Sequence, residues 1–403
     1  MSDGSETAHG KNSNRNVLHL GFVSLFTDLS SEMIYPLIPA FLLSLGASKE
    51  VIGLIEGIAE GTANLLRIVS GRWSDKVGKR KVFIFLGYGL SAVSKPFLFL
   101  AQTWHAVLAV RFSDRVGKAV RTPPRDALIS TSVDGKSKGR AFGLQRAMDR
   151  LGAVGGPLLA LLVLHFSHGN VRLVFLLSFI PAVMALPFIG LARETAREAK
   201  TATKKSGLLG AGFIIFTVAA VVFTLGNSSN MFLIVKARDA GLPLELIPAI
   251  WIVYNVVCAA SSPFFGSLSD KVGRAPVIIA SFIYYSFIYV LFGLSNSLWQ
   301  IWALFAAYGI YYGLSEGIFR AYIADLVEPD YRATAYGIFN TGSGLALIPA
   351  SVLFGVVWDN VGSQWAFFMS AGFSMIGFLI FLAGLMLRRR SQDNNGMERS
   401  QTG

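Results

Sequence analysis

Gly71-Arg72-Trp73-Ser74-Asp75-Lys76-Val77-Gly78-Lys79-Arg80 returns 195 residues later as Gly266-Ser267-Leu268-Ser269-Asp270-Lys271-Val272-Gly273-Arg274, about half the length of the 403-residue chain. Each copy follows a long apolar run and precedes another. A polar, basic, glycine-bounded turn repeated between hydrophobic segments marks an internally duplicated membrane protein.

Composition agrees. The chain is 53% hydrophobic and 15% charged, with mean hydropathy +0.53; a soluble domain carries roughly a quarter charged residues. Apolar runs of about 20 residues recur, long enough to cross a hydrocarbon core of about 30 Å. Lipid offers no hydrogen bonds to the backbone, so each span must satisfy its own, as a helix does. Continuous rather than alternating apolar runs disfavour a barrel. The net charge is +12, which in a soluble protein points to nucleic acid. Here the basic residues sit in short loops between spans, so no nucleic-acid partner is expected. Cys258 is the single cysteine and excludes a disulfide within the chain. The first 16 residues are polar and lack the apolar stretch of a signal peptide, which leaves the first span as the targeting signal.

Twelve helical spans are predicted, near 17–45, 51–71, 81–101, 105–132, 140–165, 172–192, 208–235, 245–267, 276–296, 299–325, 332–358 and 363–387. An N-terminal tail (1–16), a six-helix bundle (17–192), a polar linker (193–207), a second bundle (208–387) and a C-terminal tail (388–403) follow. Lysine and arginine concentrate in one set of loops: Lys11 and Arg15, Lys76 to Lys81, Lys136 to Arg140, Arg193 to Lys205, Lys271 and Arg274, and Arg388 to Arg390. The opposite set holds little beyond Lys49, Arg172, Lys236 and Arg238. The positive-inside rule then predicts an inner (plasma) membrane protein with both termini, the linker and both repeated turns cytoplasmic. A monomer is expected.

The duplication extends beyond the turn. Ser30-Ser31-Glu32-Met33 in the first span faces Ser228-Ser229-Asn230-Met231 in the seventh. Parallel six-span repeats mark secondary transporters with a site between the halves. At these residues the chain resembles the major facilitator superfamily, in its prokaryotic twelve-helix form. That family's loop signature stands complete as Gly71, Asp75, Lys76, Gly78, Lys79 and Arg80. The second copy keeps Gly266, Asp270, Lys271, Gly273 and Arg274, with Ala275 in place of a basic residue. The resemblance covers residues 17–387 and implies an all-α bundle of twelve transmembrane helices in two pseudo-symmetric halves, with the repeated turns as a cytoplasmic gate latch. Gly143, Gly152, Gly156 and Pro157 in the fifth span resemble the family's antiporter motif in part; Ala160-Leu161 stands where that motif ends in two glycines. The residue-level alternative is close helix packing.

Ionisable groups inside a bilayer are costly, so each is a functional candidate. In the fourth span Arg111, Arg115, Lys118, Arg121 and Arg125 step by 4, 3, 3 and 4, which lays them on one helix face. Asp114 and Asp126 flank the stripe, and Thr122-Pro123-Pro124 predicts a bend or break. The stripe either draws an anionic substrate inward or pairs with acids on neighbouring helices. Pairing suits Arg111 and Arg125, while Arg121 near mid-depth suits a cavity or coupling role. Asp28 and Glu32 lie about 17 Å and 22 Å along the first span. Desolvation favours the protonated form of a carboxylate so placed. Asp28 and Glu32, with Glu60 in reserve, are therefore proton-site candidates; permanent pairing with Arg121 or Arg150 is the alternative. The cavity candidates are Arg115, Lys118, Arg121, Asp149, Arg150, Asn227, Asn230, Glu316, Arg320 and Asn340. Tyr308, Tyr311 and Tyr312, with Phe232 and Trp251, form either a cavity wall or ordinary core.

Gly135-Lys136-Ser137 lacks the earlier glycine of a phosphate-binding loop. The five histidines show no metal-ligand spacing beyond the isolated pair His165 and His168. No cofactor, no metal and no enzymatic activity are expected. The expected function is secondary transport by alternating access: proton-driven export of a small organic anion or zwitterion. Uptake of an organic anion or phosphorylated metabolite by symport is the second possibility, and a transport-inactive receptor or scaffold the third.

Overall fold

A computed structural model of the chain describes residues 3–133, 137–194, 210–328 and 331–401, with side chains from 15 to 387 apart from position 333. Lys136, most of the expected linker (195–207), and the side chains of 1–14 and 388–403 lie outside these residues. The described chain is helical, with no strand. In order the helices are α1 (Asp3–Ile34), α2 (Ile38–Ser44), α3 (Lys49–Val77), α4 (Arg80–Ser94), α5 (Phe97–Leu100), α6 (Trp104–Thr131), α7 (Lys138–Phe166), α8 (Val171–Leu177), α9 (Phe179–Leu191), α10 (Ala211–Gly226), α11 (Met231–Asp239), α12 (Ile247–Val272), α13 (Arg274–Leu294), α14 (Leu298–Leu326), α15 (Arg332–Asn360) and α16 (Ser363–Gln401).

Each expected span has its helical segment, four of them built from two helices. Among the described residues nine segments are long and apolar enough to cross a membrane. The other three, α3, α6 and α14, carry the intramembrane charges of the second, fourth and tenth spans. α1 begins at Asp3 and α16 runs to Gln401, well into the stretches expected as tails, neither of which contains a proline to stop a helix.

The chain forms two compact units, Met1–Thr203 with Asn230–Val256, and Lys204–Ser229 with Val257–Gly403. The first unit therefore includes α11 and the beginning of α12 as well as the first six spans. Within it α1 packs on α7 and α9, and α4 on α6 and α9. In the second unit α10 packs on α15 and α16, and α13 on α14 and α16. These are the same four pairings, span for span, so the sequence repeat is also a packing repeat.

The α1–α7 crossing explains two glycines of the fifth span. A Cβ on Gly152 would lie 2.7 Å from the Leu25 carbonyl oxygen, and one on Gly156 2.5 Å from that of Leu29. Only glycine lets the backbones approach this closely. Gly143 has open space instead, and Pro157 is buried within α7.

Pro123 and Pro124 do not break the fourth span: α6 continues through both. A proline frees the carbonyl four residues earlier. The Val120 carbonyl, freed by Pro124, accepts a hydrogen bond from Ser70 Oγ of α3 at 2.7 Å. A neighbouring helix thus supplies the lost partner, as membrane helices require.

Candidate functional site

The basic stripe of α6 is mostly tied into neighbouring helices. Arg111 pairs with Glu56 of α3 at 2.6 Å, with both side chains almost fully buried. Arg115 pairs with Glu60 at 2.7 Å, and Asp114 lies between the two arginines, 3.8 Å from Arg111 and 3.4 Å from Arg115. Asp114 also accepts from Ser91 Oγ of α4 at 2.7 Å, and Ser91 in turn accepts from Arg121 at 2.6 Å. The Arg121 guanidinium sits 4.4 Å from the Tyr88 ring centroid in cation–π contact. Arg125 pairs with Asp126 at 2.9 Å and donates to Ser24 Oγ of α1 at 3.1 Å. Arg111 thus pairs with an acid of a neighbouring helix, whereas the ion pair of Arg125 is with Asp126 of its own helix and its tie to α1 is the Ser24 hydrogen bond; Arg121 is buried in the same network.

Lys118 stands apart. It is partly exposed, and the charges of Asp28, Glu32 and Glu60 all bear on it or it on them. Asp28 and Glu32 of α1 thus lie within electrostatic reach of Lys118, as do the guanidinium groups of Arg115 and Arg67, whereas Glu60, the reserve proton-site candidate, is held in its ion pair with Arg115. The α1–α7 crossing seats the two α1 acids: a Cβ on Gly152 would lie 2.9 Å from that of Asp28, and one on Gly156 2.9 Å from that of Glu32. The backbone just beyond Glu32 leaves the α-helix in a 3-10 turn, Tyr35–Leu37, at Pro36. Asp149 of α7 is bound by Gln145 and neighbours Asp28 and Arg125 electrostatically. Arg150 is partly exposed on the same helix.

Two buried polar contacts had no counterpart in the sequence pattern. Lys95, fully buried at the α4–α5 break, donates to Ser30 Oγ at 2.7 Å and Ser31 Oγ at 3.0 Å. The available signal was a lone lysine beside a proline in an apolar run. Trp251 Nε1 donates to Glu32 Oε2 at 2.7 Å, a contact across 219 positions that no local pattern reveals.

In the second unit the seventh span is interrupted between α10 and α11 at Asn227–Asn230, a discontinuous helix of the kind that lines transporter sites. Tyr285 of α13 donates to the freed Gly226 carbonyl at 2.8 Å. Tyr285, Tyr289, Tyr308 and Tyr311 pack against one another and are buried, so these tyrosines are core. Glu316 and Arg320 of α14 and Asn340 of α15 are exposed, and Asn227 is partly so; Asn230 belongs to the first unit.

The repeated turns share one construction. Ser74 Oγ donates to the Gly71 carbonyl at 3.0 Å and Ser269 Oγ to that of Gly266 at 2.7 Å. Gly78 (φ +74°) and Gly273 (φ +89°) follow in the left-handed region that favours glycine. Lys76 and Lys271 occupy the last turns of their helices, where positive charge complements the helix dipole. Arg80 lies 3.6 Å from Asp75 and donates to Thr131 Oγ1 at the end of α6. In the second copy Arg274, which aligns with Lys79, lies 3.2 Å from Asp270 and also binds Asp325 at the end of α14. The missing basic residue at Ala275 is thereby replaced from one position earlier.

Glu194 completes the first turn. Its carboxylate accepts from the backbone N–H of Arg80 at 3.1 Å and of Lys81 at 3.0 Å, while Lys79 at the N-cap position supplies no side-chain bond. Glu194→Ala is expected to lower stability by about 1 kcal/mol, the usual worth of a helix cap. A thermal unfolding midpoint identical to wild type in detergent would count against this cap.

The family model of the Major Facilitator Superfamily matches residues 20–251 and 213–402. An MFS-type transporter of Methanocaldococcus jannaschii is 36% identical over 377 residues, covering 91% of this chain and 94% of its own. The class B tetracycline resistance protein of Escherichia coli is 25% identical over 193 residues, 45% of this chain and 47% of that protein. The crystal structure of a bacterial homolog of the human lysosomal transporter Spinster superposes with a TM-score of 0.73 at 17% identity, covering 93% of this chain and 97% of that one. That structural likeness concerns the fold; the family match spans nearly the whole chain and both of its repeats. The chain belongs to the Major Facilitator Superfamily and is a membrane transporter, not an enzyme.

Proposed function

We propose that this transporter exports a small organic anion or zwitterion in exchange for protons. The observation that carries the reading is Lys118, partly exposed on α6, with the α1 carboxyl groups Asp28 and Glu32 within its electrostatic reach. A partly exposed ammonium attracts a substrate carboxylate or phosphate, and membrane carboxylates can take up protons or a substrate amine. The similarity to a tetracycline resistance protein over 193 residues supports the outward direction. Loop charge supports an inner-membrane orientation with the termini and repeated turns cytoplasmic. Proton binding at Asp28 or Glu32 and substrate binding at Lys118 then alternate as the two repeats rock, with the repeated turns as latches.

The test begins with thermal stabilisation of the purified protein by a panel of metabolites and drugs. A stabilising compound is then added to everted vesicles with an acid lumen, where exchange releases lumenal protons. Asp28→Asn or Glu32→Gln should abolish that release with folding intact. Protons moving in the same direction as the compound would establish symport instead, and unchanged coupling in both variants would remove the two acids from the mechanism.

A further inference from the structure

Trp251, near the start of α12, is 3% exposed and aims its indole N–H at the Glu32 carboxylate. Its ring packs on Tyr35 at 5.3 Å and on Tyr254 at 4.6 Å between centroids. The Tyr35 ring in turn lies 5.5 Å from the guanidinium of Arg111, the arginine held by Glu56. Asn255 Nδ2 donates to the Trp251 carbonyl at 3.1 Å. The indole is therefore fixed by its surroundings and is not a freely rotating neighbour.

An indole nitrogen is a donor only. A hydrogen bond to an ionised acceptor is roughly twice as strong as one to a neutral acceptor, so this contact favours the carboxylate over the carboxylic acid. The other groups around Glu32 are Arg111, Arg115 and Lys118 from α6, Asp28 from α1 and the backbone of Gly156 from α7. Among these described residues, none joins Glu32 to α12. Trp251 does.

We infer that Trp251 is the positioning residue of Glu32: its indole N–H holds the ionised carboxylate, and protonation of Glu32 loosens the N-terminal part of α12 from α1. The inference rests on the reading of Glu32 as a proton carrier. A proton arriving at Glu32 then does more than neutralise a charge. It weakens one identified contact between the first and eighth spans, and deprotonation restores it.

The experiment uses the full chain in lipid nanodiscs. Phenylalanine at 251 keeps the aromatic stack and removes only the N–H. The chain has seven tryptophans, so Trp251 is followed as the emission difference between wild type and Trp251→Phe. That difference should titrate with pH in the wild-type background, and be flat when measured in Glu32→Gln, while Asp28→Asn retains it. The lone cysteine, Cys258, is buried and lies two helical turns from Trp251 on the same face. At one fixed pH, N-ethylmaleimide should label it about tenfold faster in Trp251→Phe and in Glu32→Gln, as loss of a charge-assisted hydrogen bond implies. The double variant should label no faster than either single one, because the two residues act as a unit. Labelling of Trp251→Phe at the wild-type rate, or an indole signal that titrates equally in Glu32→Gln, overturns the inference. If that happens while Glu32→Gln still abolishes proton release, the proton site stands and only the role of Trp251 falls. Proton release that survives in Glu32→Gln overturns the proton site, and the coupling role of Trp251 with it.

Discussion

Gly156→Leu should yield no recoverable folded protein, and Gly156→Ala should lower the thermal midpoint. The first side-chain carbon would meet the Leu29 carbonyl oxygen at 2.5 Å, and that oxygen belongs to a helix backbone that cannot turn aside. Overpacking of this kind costs about 1–3 kcal/mol for small insertions, so alanine is expected to destabilise within that range and leucine well beyond it. Gly143→Leu is the control, since open space surrounds that glycine. Size-exclusion profiles and thermal unfolding in detergent read the outcome. A monodisperse Gly156→Leu with a wild-type midpoint would show that α1 and α7 do not depend on this crossing. The same crossing seats Asp28 and Glu32, so the partial antiporter-like motif has a physical role in bringing the acid-bearing helix close to its neighbour.

Arg111→Leu should destabilise the protein by about 3–5 kcal/mol, the usual cost of removing one partner from a buried ion pair. Glu56 is 2% exposed and would be left with its charge desolvated. Replacing both residues, Arg111→Leu with Glu56→Leu, should recover most of the loss, because two apolar side chains leave no unpaired charge. Asp114, 3.8 Å from Arg111, keeps Arg115 as its partner in the double variant. Thermal midpoints of the two single variants and the double variant decide the matter. A double variant as unstable as Arg111→Leu would mean that the arginine acts through the Tyr35 stack and the Asp114 contact, not through Glu56.

Sequence patterns point to the right helices and miss some of their partners. The repeated turn was legible because its parts are close together: glycine, aspartate and basic residues lie within ten positions, and both copies place a serine bond and a positive-φ glycine at the turn. The role of Arg274 was less so, since its bond to Asp325 spans 51 positions. In α6 the spacing put five basic residues on one face, as the structure shows for their helix. Spacing could not tell that Glu56, Glu60 and Ser91 would meet Arg111, Arg115 and Arg121, because those partners come from α3 and α4. The proline pair pointed to a bend or a break, and that the helix runs on through it was hidden for the same reason: the hydroxyl that compensates Pro124, on Ser70, lies 50 positions from Val120.

Hydropathy, loop charge and the duplicated turn are local properties, since a span needs only its own backbone bonds and its own apolar length to settle in lipid. They establish a two-times-six helical membrane protein, and the family resemblance follows from them. Which ionisable group is structural and which is available for transport is not local. It depends on the distance to groups brought by other helices, and the strength of each pair depends on the low polarity around it. Chain folding therefore tied Arg111, Arg115 and Arg121 into the packed frame, left Lys118 partly exposed, and set Trp251 against Glu32.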